Sequence, residues 1–159
     1  MTLRYIEVPN EFEPDGRASV FLAGETIGCP DWQSEAVGLL ADAGFDGTVL
    51  SPRPSRNPAS DPYAAWLPGG WQDRNIRRTD VVLFWRPIGH VRIHDCYEAH
   101  LFSPYGGAVA VGCDPAEAAQ RATRARLAQL MPWLPVAGTL ADTVTAALAA
   151  LAAPAPTRG

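Results

Sequence analysis

The run Asp80-Val-Val-Leu-Phe-Trp85, "DVVLFW", limits the fold more than any other stretch of the chain. A strand with one wet face alternates apolar and polar residues. A continuous apolar run after a single acid must instead be covered on both faces, as in the middle of a parallel sheet. A parallel sheet needs crossover connections, and its two faces need helices to cover them.

The remaining pattern supplies both. "ASVFLAG" (18–24) is a short buried strand ended by glycine, and "WQSEAVGLLADAGF" (32–45) places Trp32, Ala36, Leu39, Leu40 and Ala43 on one helical face. Asp31 is placed to cap that helix and Gly44 to stop it. "GTVLSPRP" (47–54) reads as a second strand running into a proline-broken loop, and 55–70 as a long ordered loop, a kind that often carries function. A short helix over 70–78 precedes "DVVLFW". A fourth strand follows at 106–112, then a helix from about Asp114, a fifth strand at 134–138 and a capped amphipathic helix at 139–151. Alternating strands and helices of this kind give a single-domain Rossmann-like three-layer sandwich, with about five mainly parallel strands, over residues 1–153. Residues 154–159 are read as a disordered tail.

Composition narrows the function classes. Hydrophobic residues make up 47% and charged residues 19% of the 159, a globular balance, and the formal net charge is −4. The basic residues are scattered arginines, which argues against a grip on a nucleic acid polymer. No apolar run reaches membrane length, and the acidic, broken N-terminal stretch does not read as a signal peptide. Three cysteines without paired spacing support neither a disulfide framework nor a zinc ribbon. The expectation is a cytoplasmic protein that does not engage membranes.

Ligands of doubly wound sheets bind outside the carboxyl ends of the strands, where strand order reverses. That rule selects the loops after Ala23, Leu50, Trp85 and Gly112. The third of these holds "HDCYEAH" (94–100), which concentrates titratable groups. Three readings of it stand side by side. His94 and His100 are six apart, a poor helical spacing for a metal. Cys96 with a histidine is a nucleophile pair. Asp95 to Glu98 is a capping box with Asp in the cap position. The glycines of "AGETIG" fit neither a dinucleotide fingerprint nor a phosphate loop.

Several segments in order resemble the nucleoside 2-deoxyribosyltransferase-like family, in its small bacterial branch. They are "SVFLAGETIGCPDWQSEAVGLL", "GTVLSPRPSRNPASDPYAA", "WQDRNIRRTDVVLFW", "CYEAHLFSPYGGAVAVGCDP" and "LPVAGTLADTV", together spanning residues 18 to about 151. The resemblance implies a flavodoxin-like fold. It also implies cleavage or transfer at the N-glycosidic bond of a (2-deoxy)nucleoside or nucleoside monophosphate. No cofactor or metal is implied, and a homo-oligomer is.

Carried over by position, the family's glutamate nucleophile falls on Glu98, and its acidic residue before the third strand on Asp73. Ala23, Gly24 and Glu25 would line the sugar and base pocket. An oxocarbenium-like transition state suits a carboxylate at the anomeric carbon, and a second acid must protonate the leaving nitrogen. Asp73 and Asp95 both qualify for that role. Tyr97 or Tyr63 would hold the nucleophile or sugar through a phenol, Trp71 would stack on a base, and Arg86 and Arg92 would recognise a phosphate. Two departures from the family pattern stand out: Gln72 where the branch typically has glutamate, and His100 where it has glycine. They motivate an alternative, a catalytically degenerate nucleotide-sensing module of the same fold.

Overall fold

Two-residue periodicity within the strands decides which helix covers which face of the sheet. The computed structural model describes residues 2–26, 28–54, 70–87, 100–101, 107–116 and 118–153. Among these residues, six strands form one all-parallel sheet: β1 (Arg4–Glu7), β2 (Ser19–Ala23), β3 (Thr48–Ser51), β4 (Val81–Arg86), β5 (Ala108–Cys113) and β6 (Val136–Ala137). The described helices are α1 (Trp32–Asp42), α2 (Trp71–Ile76), α3 (Ala118–Leu130) and α4 (Leu140–Ala152). His100 and Leu101 are also helical. The result is a three-layer α/β sandwich of flavodoxin/Rossmann type.

The strand order is β1-β3-β2-β4-β5-β6. Without β1 it becomes 3-2-4-5-6, which is the flavodoxin-like order with its reversal between β2 and β4. "DVVLFW" thus supplies the inner strand β4, paired with β2 on one side and β5 on the other. Val81 and Leu83 face one way and join Val20, Leu22, Trp32, Leu40 and Val144 beneath α1 and α4. Val82 and Phe84 face the other way and join Phe21, Trp71, Ile76, Leu101, Leu127 and Met131. Each such side chain, withdrawn fully from water, contributes about 1.5–3 kcal/mol, so the unbroken run is the central source of cohesion.

The helix ends follow local chemistry. The Asp31 carboxylate caps α1 by accepting from the Ser34 backbone N–H at 3.1 Å. At the other end Gly44 takes φ +83°. The Gly44 N–H reaches the Ala41 carbonyl at 2.9 Å and the Phe45 N–H reaches Leu40 at 3.0 Å, a Schellman closure that needs the left-handed glycine. Thr139 caps α4 through the Asp142 N–H at 3.0 Å. One boundary differs from expectation. Asp114 closes a local turn onto the Ala116 N–H at 2.9 Å, and α3 begins only at Ala118. A short polar side chain that satisfies its own turn competes with helix initiation.

β1 is an additional strand that the sequence reading did not assign. It pairs with β3 from Arg4 opposite Thr48 to Glu7 opposite Ser51. Residues 8–18 then cross from β1 to β2 without helix or strand and pack over α2. Phe12 is 1% exposed in the core, the Trp71 Nε1–H donates to the Asn10 carbonyl at 2.7 Å, and Arg78 donates to the Phe12 carbonyl at 3.0 Å. Arg74 forms an ion pair with Glu11 on the outside of this strap.

The Arg74 guanidinium holds the Glu11 carboxyl below its usual range. The stabilisation is therefore fully present above the unfolded glutamate value of about 4.3 and is lost as pH falls through the lower folded value. Glu11→Gln is expected to flatten the acid limb of the stability curve slightly, the pair being exposed. Urea midpoints from neutral to acid pH check this, and parallel curves for the two proteins would remove the pair from the account. No helix among the described residues is long and apolar enough to cross a membrane.

Candidate functional site

The strand order reverses between β2 and β4, and the carboxyl ends of those strands are where a doubly wound sheet takes its ligand, which makes that place the candidate site. β2 delivers Ala23, Gly24 and Glu25 to it, and β4 delivers Trp85 and Arg86. Ala23 stands opposite Phe84 in the ladder. Just beyond, the chain at Gly24 is pressed so close to the Trp85 carbonyl that a Cβ on Gly24 would meet its oxygen. The same Cβ would lie 2.7 Å from Cζ2 of the Trp32 indole. The absence of a side chain at Gly24 is what allows the two strand ends to meet.

Beyond Gly24, the Glu25 carbonyl turns towards α1 and accepts three donors. They are Trp32 Nε1–H at 2.9 Å, Gln33 Nε2–H at 3.1 Å and the Cys29 thiol at 3.3 Å. The Glu25 carboxylate itself accepts from the Thr26 N–H at 3.1 Å. Arg53, two residues past β3, reaches back to the same loop. Its Nε donates to Gln33 Oε1 at 2.8 Å, and its Nη2 to the Pro30 carbonyl at 3.1 Å and the Cys29 sulfur at 3.4 Å. Burial pushes the Cys29 thiol up, against the lowering influence of Arg53, so it serves as a donor here and not as a thiolate.

α3 packs beside the end of β4. The buried Arg86 turns towards that helix and donates through Nη1 to Thr123 Oγ1. Gln120, fully buried, donates to the Pro87 carbonyl at 3.3 Å. Arg124 clamps the ends of β5 and β6 by donating to the Cys113 carbonyl at 3.3 Å and the Ala137 carbonyl at 2.8 Å. Cys113 is wholly enclosed, and burial raises its thiol as well.

α2 links two parallel strands and so runs back against them, which brings its first turn to the carboxyl end of the sheet. Trp71 is 4% exposed, with its ring 5.8 Å from that of Phe21 and its N–H spent on Asn10, which is a core position. Asp73 keeps a side chain 23% exposed and pairs with Arg77 at 2.9 Å. The next-door Gln72 is 1% exposed, and among the described residues its Oε1 accepts no hydrogen bond. The ring of His100 tilts against Phe84 at 6.4 Å, on the same face of the sheet as α2 and α3.

Of the residues singled out in the sequence, Ala23, Gly24 and Glu25 lie at the carboxyl end of β2 and Arg86 at that of the neighbouring β4. The structure places Asp73 and Trp71 on the helix at the same end of the sheet. Glu98, Asp95, Tyr97, Tyr63 and Arg92 lie outside the described residues, as do His94 and Cys96, on which the metal and thiol readings rest. Among the described residues no group of three His, Cys, Asp or Glu side chains is placed to hold a metal ion. Gln33 and Arg53 were not anticipated. Their only signals are a glutamine in the first turn of a helix and an arginine between two prolines.

An unpartnered buried amide oxygen costs about 1–3 kcal/mol, and an apolar side chain of the same shape avoids that cost. Gln72→Leu is accordingly expected to raise the thermal midpoint by roughly 2–4 °C. A melting curve decides it. A lowered midpoint would show that the Gln72 oxygen is satisfied in solution. No protein-family model matches the sequence, and no curated protein matches it.

Proposed function

We propose that the chain cleaves or transfers at the N-glycosidic bond of a (2-deoxy)nucleoside or nucleoside monophosphate, with Glu98 as the nucleophile. The observation that carries the reading is the reversal of strand order between β2 and β4, with the Gly24 turn packed against the end of β4. That is the place and the strand order which the family resemblance leads one to expect for a sugar and base pocket. A carboxylate at the anomeric carbon stabilises the oxocarbenium-like state, and a second carboxyl, Asp73 or Asp95, protonates the departing base nitrogen. Arg86 stands at the end of β4 as a fixed positive charge, and a homo-oligomer is part of the same reading.

A nucleotide-sensing module is the second reading, favoured by the buried neutral amide of Gln72 where the resembling branch carries a carboxylate. One experiment separates the two. Purified protein is incubated with a panel of nucleosides, 2′-deoxynucleosides and their 5′-monophosphates, and the products are resolved by chromatography. Free base, or exchanged base when a second base is supplied, supports the enzyme. Saturable binding with the ligand recovered intact supports the sensor. Neither binding nor turnover across the panel ends both readings.

A further inference from the structure

We infer that Arg53 is a positioning residue of the candidate site, setting the Gly24–Glu25 turn from the neighbouring strand through the side-chain amide of Gln33. The inference rests on the reading of that turn as a pocket wall. Arg53 is itself fixed, because its backbone N–H donates to Ser51 Oγ at 3.2 Å where β3 ends. Its Nε lies 2.8 Å from Gln33 Oε1 and 3.3 Å from the Asp31 carboxylate that caps α1. Strand β3, helix α1 and the loop between β2 and α1 are thereby joined at one guanidinium.

An amide has a sense, oxygen at one end and NH2 at the other, and Arg53 selects it. A guanidinium accepts no hydrogen bond, so Gln33 must turn its oxygen to Arg53 and its NH2 to the Glu25 carbonyl, which it meets at 3.1 Å. The reversed amide would set oxygen against oxygen at Glu25 and NH2 against a cation at Arg53. Gln33 is 1% exposed, so bulk water is not at hand to repair that mismatch. The conformation of a turn on β2 is in this way specified by a residue that follows β3.

Two substitutions separate a relay from a brace. Gln33→Glu keeps an acceptor for Arg53, and strengthens that contact, but places a carboxylate oxygen against the Glu25 carbonyl. Arg53→Lys retains a donor for Gln33 Oε1 and should preserve the relay in part. In 15N-labelled protein, Gln33→Glu is expected to shift the Gly24 and Thr26 amide resonances while the β5 and α4 amides stay in place. Arg53→Lys should shift the same amides less.

A wall that holds substrate and transition state alike affects KM and not kcat. Gln33→Glu is therefore expected to raise KM for the best nucleoside of the panel about tenfold, with kcat changed less than about twofold. Turn amides that stay in place in Gln33→Glu would overturn the relay, and so would a kcat loss with KM unchanged. A wild-type protein that turns over none of the panel ends the glycosidic reading, while the amide shifts still decide whether Arg53 sets the turn.

Discussion

Gly24→Ala is expected to lower the thermal midpoint by roughly 6–12 °C, at the upper end of what one methyl group does in an overpacked interior. The added carbon would meet two neighbours, and neither can yield. One is the carbonyl oxygen of Trp85, on a strand laddered to β2 and β5, with Trp85 opposite Gly112 and Arg86 opposite Cys113. The other is the indole of Trp32, which is 3% exposed and held by its hydrogen bond to the Glu25 carbonyl. Relief requires the ends of β2 and β4 to separate, and that separation disrupts the candidate site. Any nucleoside binding should be lost together with the stability. Circular-dichroism melts of the two proteins check the first effect. A midpoint within about 2 °C of the wild type would mean that the strand ends are looser than their packing implies.

On the proposed N-glycosidic reading, Glu98→Gln is expected to reduce base release or exchange by roughly a thousandfold or more, while leaving the melting curve close to that of the wild type. An amide of nearly the same shape cannot form or stabilise the bond to the anomeric carbon. Asp73→Asn should cost less, because the Asp73 carboxylate is partly solvated and already paired with Arg77. Asp95→Asn keeps a side chain able to cap a helix, so a large loss there would assign Asp95 to proton transfer and not to capping. Initial rates of base release under saturating substrate make the comparison. Undiminished turnover in Glu98→Gln would remove that residue from the chemistry.

Particular elements show how far local pattern reaches in this chain. "DVVLFW" is readable as an inner strand because five apolar residues in a row have no other arrangement in a short domain. Asp31, Gly44 and Thr139 are readable as helix ends because a cap is made by neighbours in sequence. β1 was not readable. Its four residues leave Arg4 and Tyr5 largely exposed and become a strand only by lying against β3, more than forty positions away. Trp71 was a candidate for stacking on a base at a residue type more often found in the core, and the partners brought to it by Phe21 and Asn10 make it a core residue.

The site divides along the same line. The sequence by itself determined the fold class and that the loop after β2 ends a strand with glycine, since periodicity and turn chemistry are local properties. Only the tertiary structure decided why that glycine is needed and what holds its turn. The Trp85 carbonyl and the Arg53 guanidinium come from strands that are neighbours of β2 in space but lie 61 and 29 positions along the chain from Gly24. Contacts of that range are set by the order of strands in the sheet, which no local pattern encodes.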